Sequence, residues 1–222
     1  MPNAWLFTAA ITGYILGSLP FGYLVARAHG VDIFKAGSGN PGATNVKRVL
    51  GSKAGNTVLV LDILKGALAA SWYKVFWSVR AGRLFNSDDF TPNDNNLVLW
   101  MALTGVVAAV LGHSFSIFTK FRGGKGVATA AGGLVVLMPL ACAIAGATWV
   151  IVFFAFRYVS LASIMGAVAV ITASWLLPTY ELPLRIIVSV LGGFVILRHH
   201  ENIKRLLNGT ESKFAKKPPA QP

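Results

Sequence analysis

Of the 222 residues, 55% are hydrophobic and only 13% charged, with a mean hydropathy of +0.62; soluble domains carry roughly 25% charged residues, so a water-soluble globular protein is excluded. The net charge of +12 does not point to nucleic acid, because Lys and Arg gather in particular loops beside apolar runs, as the positive-inside rule describes. One cysteine, Cys142, excludes an intrachain disulfide and a cysteine-based zinc site.

The first apolar run, Trp5–Val25, matches the ~20 residues needed to cross a hydrocarbon core. No Lys or Arg precedes it and Arg27 and Lys35 follow it, so it is expected to remain as a span rather than to be removed as a signal peptide. The basic loop after it holds a first polar cassette, GSGNPGATN (Gly37–Asn45). A second span, Thr57–Val79, carries Asp62 and Lys65 one helical turn apart. Charges inside a membrane cost roughly 2.5–3.5 kcal/mol each and usually face a polar interior, though these two also suit one another as a pair. The loop that follows mixes Arg80 and Arg83 with Asp88, Asp89 and Asp94, and reads as the outer side. After a third span, Leu97–Ile117, comes the second cassette, GHSFSIFTKFRGGKGVAT (Gly112–Thr129).

The next apolar stretch, Val127–Phe156, is interrupted by Gly132, Gly133 and Pro139. Taken as one span it would leave the basic C-terminal region outside; two short helices turning near Pro139 restore the positive-inside pattern. With Ser160–Leu177 and Leu184–Leu197 the expectation is an all-α polytopic membrane protein of about seven transmembrane helices. Its N terminus lies outside and its C terminus in the cytoplasm, with all cassettes on the cytoplasmic face. The third cassette is HHENIKRL (His199–Leu206). Residues 1–212 are expected to form a single integral membrane domain, and 213–222, ending KKPPAQP, a disordered basic tail.

Each cassette carries groups suited to anions. In the first, Ser38, Asn40, Thr44 and Asn45 offer neutral donors, the glycines, Gly42 among them, allow close backbone approach, and Arg48 lies one turn on. A helix cap with Thr44 or Asn45 at the N-cap is the alternative. In the second, RGGKG (Arg122–Gly126) sets flexible backbone beside Arg122 and Lys125, the makings of an anion-binding nest. It is not a Walker A loop, since Thr119 replaces the first glycine and Gly126 the required Ser or Thr. A lone His113 at a helix end is more often a cap or interfacial residue than a chemical group, and Phe118 stands where a His-x4-Asp acyltransferase needs aspartate. In the third, His199, Asn202 and Arg205 recur at three-residue spacing on one helix face, which also suits a basic helix on the membrane surface. Ser160 is either a donor or a helix cap. A metabolite transporter would account for the anion sites but predicts polar groups on both faces. A CDP-alcohol transferase needs an Asp-rich helix, whereas Asp62 stands alone in its span.

In this order and with these spacings, the cassettes resemble the PlsY family, the bacterial acyl-phosphate:glycerol-3-phosphate acyltransferases. The likeness runs from GSLPFGYL (Gly17–Leu24) through LDILKG (Leu61–Gly66) to NIKRL (Asn202–Leu206) and Glu211. It implies transfer of a fatty acyl group from acyl phosphate to the 1-hydroxyl of glycerol 3-phosphate, giving lysophosphatidic acid and phosphate at the start of phospholipid synthesis. It also implies the bacterial inner membrane, a cytoplasmic active site, contact with membrane lipid, no nucleic acid, and a link to an acyl-phosphate-producing enzyme. Phosphate would be bound by Ser38, Asn40, Gly42, Thr44, Asn45, Arg48, Lys65, Gly123, Gly124, Lys125, Gly126, Thr129, Ser160, Asn202 and Arg205. His113 or His199, or else a substrate phosphate oxygen, would orient or deprotonate the hydroxyl. No cofactor or metal is implied, and turnover is expected to persist in EDTA.

Overall fold

The computed structural model describes residues 2–80 and 92–214, and all regular structure among them is helical. The helices in chain order are α1 (Pro2–Ser18), α2 (Phe21–Ala28), α3 (Ala43–Leu50), α4 (Ser52–Arg80), α5 (Pro92–Ser114), α6 (Val127–Leu137), α7 (Pro139–Phe156), α8 (Val159–Leu176), α9 (Leu182–Leu197) and α10 (His200–Leu207). Five segments are long and apolar enough to cross a membrane: Ala4–Ala28, Ser52–Trp72, Asn96–Thr119, Pro139–Phe156 and Val159–Leu176. Leu182–Leu197 with His200–Leu207, bent by 56°, makes a sixth if the pair is one span. The expected break near Pro139 falls at Met138, whose φ of −143° and ψ of 62° lie outside the α region that a following proline disfavours. It leaves α6 only 11 residues long, about 16 Å of helix against a hydrocarbon core of about 30 Å. The loop expected on the outer side, 81–91, and the tail from 215 lie outside the described residues.

The chain divides into two compact units, Met1–Pro139 and Leu140–Pro222. In the first, α1 packs on α5 and α4 on α5 and α6. Small residues make these approaches close, because helices in lipid associate through packing and not through release of water. A Cβ on Gly13 or Gly17 of α1 would overlap the backbone of Gly105 or Ala109 of α5, and one on Gly66 of α4 the Thr129 carbonyl of α6.

The break between α1 and α2 matters for the site. Pro20 has no N–H for the Leu16 carbonyl, so α1 ends at Ser18 and the Ser18 and Leu19 carbonyls stand outside the helical ladder. Polar side chains from elsewhere take them up: Lys65 Nζ donates to Leu19 O at 3.0 Å and Ser116 Oγ to Ser18 O at 2.5 Å.

In the second unit α8 packs on α9 and α10 on α8. Trp149 Nε1 donates to Ser163 Oγ at 3.2 Å, tying α7 to α8. Phe214 N donates to Arg157 O at 2.9 Å, which folds the chain after α10 back to the α7–α8 connection.

Candidate active site

The first unit contains an open cleft beside the α1–α2 break, lined also by Pro41 of the first cassette, where segments from along the chain meet. The α1–α2 break supplies Ser18–Gly22, α4 supplies Asp62 and Lys65, and the end of α5 with its following loop supplies His113, Ser116, Thr119 and Arg122–Gly124. Lys65 Nζ lies 2.7 Å from Asp62 Oδ1, with both side chains 3% exposed. The same carboxylate oxygen lies 3.5 Å from His113 Nδ1, in a side chain 10% exposed. Lys65 was expected to bind phosphate. It lines the cleft, with its ammonium paired to Asp62 and donating to Leu19 O.

The loop after α5 is held in a conformation that non-glycine residues rarely adopt. Lys120 and Phe121 have φ of 53° and 59°, a left-handed region costly without Gly, and persist because surrounding bonds over-determine them. Phe121 N donates to Ser116 O at 2.8 Å, and Thr119 Oγ1 to Arg122 O at 2.6 Å. The chain then passes directly over His113: Gly124 N donates to His113 O at 3.1 Å. A Cβ on Gly123 would overlap that carbonyl, and one on Gly124 would overlap Nε2 of the ring. Both glycines are therefore demanded by close approach. Gly126, at φ 81°, starts α6. Lys125 lies between, half-buried. Thr129, expected to touch substrate, is completely buried and is not among the residues lining the cleft, and its carbonyl packs against Gly66.

The first cassette is joined to the second by Arg122, whose guanidinium carbon lies 4.3 Å above the Phe34 ring, a cation–π contact. The helix-cap alternative is corrected in its detail, for α3 begins after Gly42 with no side-chain cap. Asn45 instead points into the loop, accepting from Ser38 N at 2.8 Å and donating to Ala36 O at 2.9 Å. It is 2% exposed, so it braces the loop rather than offering a donor to a ligand. Asn40 Oδ1 accepts from Gly42 N at 2.9 Å. Ser38 and Arg48 are exposed and Thr44 half-buried. Of this cassette only Pro41 lines the cleft.

The second unit assembles the third cassette around a carboxylate absent from the expected phosphate binders. Glu211 Oε1 accepts from Ser160 Oγ and Asn202 Nδ2, both at 2.7 Å, and Oε2 from Arg205 Nε at 2.7 Å. Burial raises the Glu211 carboxyl, but these three hydrogen bonds and the Arg205 charge outweigh it and hold the group below the usual carboxylate range. Ser160 thereby gives its one hydroxyl proton to Glu211, whereas Arg205 keeps further N–H groups for a ligand. His199, 3% exposed, places Nδ1 2.7 Å from Val195 O. A carbonyl only accepts, so Nδ1 carries the proton and Nε2 is the acceptor atom of the neutral ring.

Asp62, Ser116 and Thr119 also line the cleft, although none is among the residues expected to bind phosphate. Only the carbonyls outside the helical ladder beside Pro20 signal that polar partners must arrive there.

A family model described as glycerol-3-phosphate acyltransferase matches residues 7–209. The glycerol-3-phosphate acyltransferase 3 of Bacillus anthracis is 44% identical over 210 residues, 93% of this chain and 95% of its own. The glycerol-3-phosphate acyltransferase of Rippkaea orientalis is 42% identical over 219 residues, 96% of each chain. Among solved structures, PlsY, an integral membrane glycerol 3-phosphate acyltransferase, is similar in its glycerol 3-phosphate form with a TM-score of 0.79 and 37% identity, over 95% of this chain and 96% of that one. Its lysophosphatidic acid form gives 0.77 at 37% identity, over 95% of each chain. With matches of this length joined to a helical membrane architecture and a basic, glycine-rich loop over a cleft, the chain belongs to the PlsY family of glycerol-3-phosphate acyltransferases.

Proposed function

We propose that the protein transfers a fatty acyl group from acyl phosphate to the 1-hydroxyl of glycerol 3-phosphate. The hydroxyl oxygen bonds to the acyl carbonyl carbon, the bond from that carbon to the phosphate oxygen breaks, and the hydroxyl proton leaves to a base. The products are lysophosphatidic acid and inorganic phosphate. The observation that carries this reading is the glycine backbone of Gly123–Gly124 lining a cleft with Arg122, immediately before Lys125, at the end of a membrane helix. That combination suits a phosphate headgroup whose apolar tail stays in the membrane.

Lys125, Arg48 and Arg205 carry the phosphate charge in this reading, with Ser38, Asn40, Thr44 and the backbone of Gly42, Gly123, Gly124 and Gly126 sharing it. Ser160 and Asn202 act through Glu211 by holding Arg205 in place, and Asn45 acts by shaping the first loop. His199 is the better candidate for the base, because its acceptor nitrogen is defined by the Val195 bond; a substrate phosphate oxygen is the alternative. An acyl phosphate is an activated mixed anhydride, so holding the hydroxyl against its carbonyl supplies much of the rate, proximity alone being worth about 7–11 kcal/mol.

Residues 1–212 act as the catalytic domain, with 213–222 a tail outside it. The N terminus lies outside and the C terminus in the cytoplasm of the bacterial inner membrane, with the chemistry on the cytoplasmic side and the donor supplied by an acyl-phosphate-producing enzyme. The basic loops support this orientation.

Phosphate release from palmitoyl phosphate by purified protein tests the reaction, with acyl-CoA and acyl carrier protein thioesters as rival donors. Release that needs glycerol 3-phosphate and yields lysophosphatidic acid is expected. Turnover with a thioester alone would refute the donor, and no turnover with any donor would refute the reaction.

A further inference from the structure

We propose that Asp62 is a positioning residue for the RGGKG loop and acts on it through His113; the proposal rests on the acyl-transfer reading above and adds a residue to it. A carboxylate inside an apolar span is costly, and pairing with Lys65 explains how Asp62 is tolerated but not why it is there. Buried ion pairs are commonly no more stabilising than apolar residues of the same volume. What the pair provides is direction. Lys65 is anchored on the Leu19 carbonyl at the α1–α2 break, and it lies 2.7 Å from Asp62 Oδ1. That oxygen lies 3.5 Å from His113 Nδ1. A carboxylate oxygen only accepts, so a contact at this distance favours the ring tautomer that carries its proton on Nδ1.

The other edge of the ring meets the loop. His113 Nε2 is the atom on which a Cβ at Gly124 would fall, and His113 O accepts the Gly124 N–H at 3.1 Å. His113 thus holds Gly124 by its backbone carbonyl, with its ring packed close beside it, and Lys125 is the next residue. The line of contacts runs from Leu19 through Lys65, Asp62 and His113 to the loop whose lysine is proposed to bind phosphate. With its Nε2 edge facing Gly124, His113 acts in this proposal as a support for the loop.

The test begins with the unaltered protein. In detergent micelles with ¹⁵N-labelled histidine, with His113 assigned by its loss in His113→Gln, the ring should carry a proton on Nδ1. A neutral ring protonated on Nε2 would overturn the proposal, and this measurement needs no variant that might misfold. Asp62→Asn presents an amide nitrogen that can donate to Nδ1 and so favours the wrong tautomer, as in the serine-protease aspartate-to-asparagine change. We expect the proton to move to Nε2 and KM for glycerol 3-phosphate to rise at least tenfold while kcat changes less. Because Asp62→Asn leaves Lys65 without its counter-charge, Asp62→Asn with Lys65→Gln provides a charge-neutral version if the single variant does not fold. In the His113→Gln background, adding Asp62→Asn should produce no further loss; an additional, multiplicative loss would show that Asp62 does not act through His113 and would overturn the proposal. Unchanged KM in folded Asp62→Asn would do the same. Absence of turnover in the unaltered protein would strike the acyl-transfer reading, while the tautomer would still decide the Asp62–His113 arrangement.

Discussion

Gly124→Ala adds one methyl group where the loop crosses His113. The new Cβ would overlap Nε2, and the next nearest ring atoms, Cε1 at 2.9 Å and Cδ2 at 3.1 Å, lie inside the 3.4 Å at which ordinary contact begins. Backbone conformation is not the obstacle, because Gly124 is absent from the positive-φ residues. Nor can the ring swing aside freely, for its opposite nitrogen is beside Asp62 and its carbonyl lies under Gly123. The loop itself must therefore lift, by on the order of 1 Å to restore van der Waals separation. Overpacking of this kind costs about 1–3 kcal/mol of stability. A misplacement of about 1 Å costs on the order of 10²-fold in rate, or about 2.7 kcal/mol of barrier. Phosphate release at saturating palmitoyl phosphate and varied glycerol 3-phosphate, alongside thermal unfolding in the same detergent, reads both. Gly146→Ala in α7 is the control, since a Cβ there meets nothing within 4 Å, and it should leave turnover intact. Gly124→Ala with native kcat/KM would refute the claim that the loop's distance from His113 sets the site.

Three other outcomes follow from the geometry. Lys125→Ala should raise KM for a phosphate-bearing substrate about 10- to 100-fold, the worth of one charge-assisted hydrogen bond of about 1.5–3 kcal/mol; unchanged affinity for both substrates would remove Lys125 from phosphate binding. His199→Ala should lower kcat by about 10²-fold or more, within the range of a general base, and a loss below tenfold in initial-rate measurements would assign the proton to a substrate phosphate oxygen. Glu211→Gln should lower the melting temperature at neutral pH. The Glu211 carboxyl is depressed in the folded protein, so its contribution is complete above the ordinary carboxylate value of about 4.3 and is lost as pH falls through the lower folded value. The gap between variant and parent should therefore close in strong acid, and a gap that widened there would contradict the assigned sign.

Membrane character, the helical class and the three cassettes were legible in the chain because each is local. Apolar runs of bilayer length, the glycines of RGGKG and the basic loops are properties of consecutive residues. Pro139 likewise announced the break between α6 and α7, since a proline constrains the residue before it wherever it stands. The roles of single polar residues were not legible in this way. Asn45 and Thr129 have the same chemistry whether they face a ligand or the protein, and packing turned one into a loop brace and the other into a wall for α4. Lys65 reads as a partner of Asp62 or as a phosphate binder, and only the fold brings it to the Leu19 carbonyl, 46 residues away. Glu211 gathers Ser160 from 51 residues before it. Hydrogen bonds and close contacts depend on which distant segments meet, so what the chain binds could be read along its length, while which atoms are left to bind it was decided only by the tertiary fold.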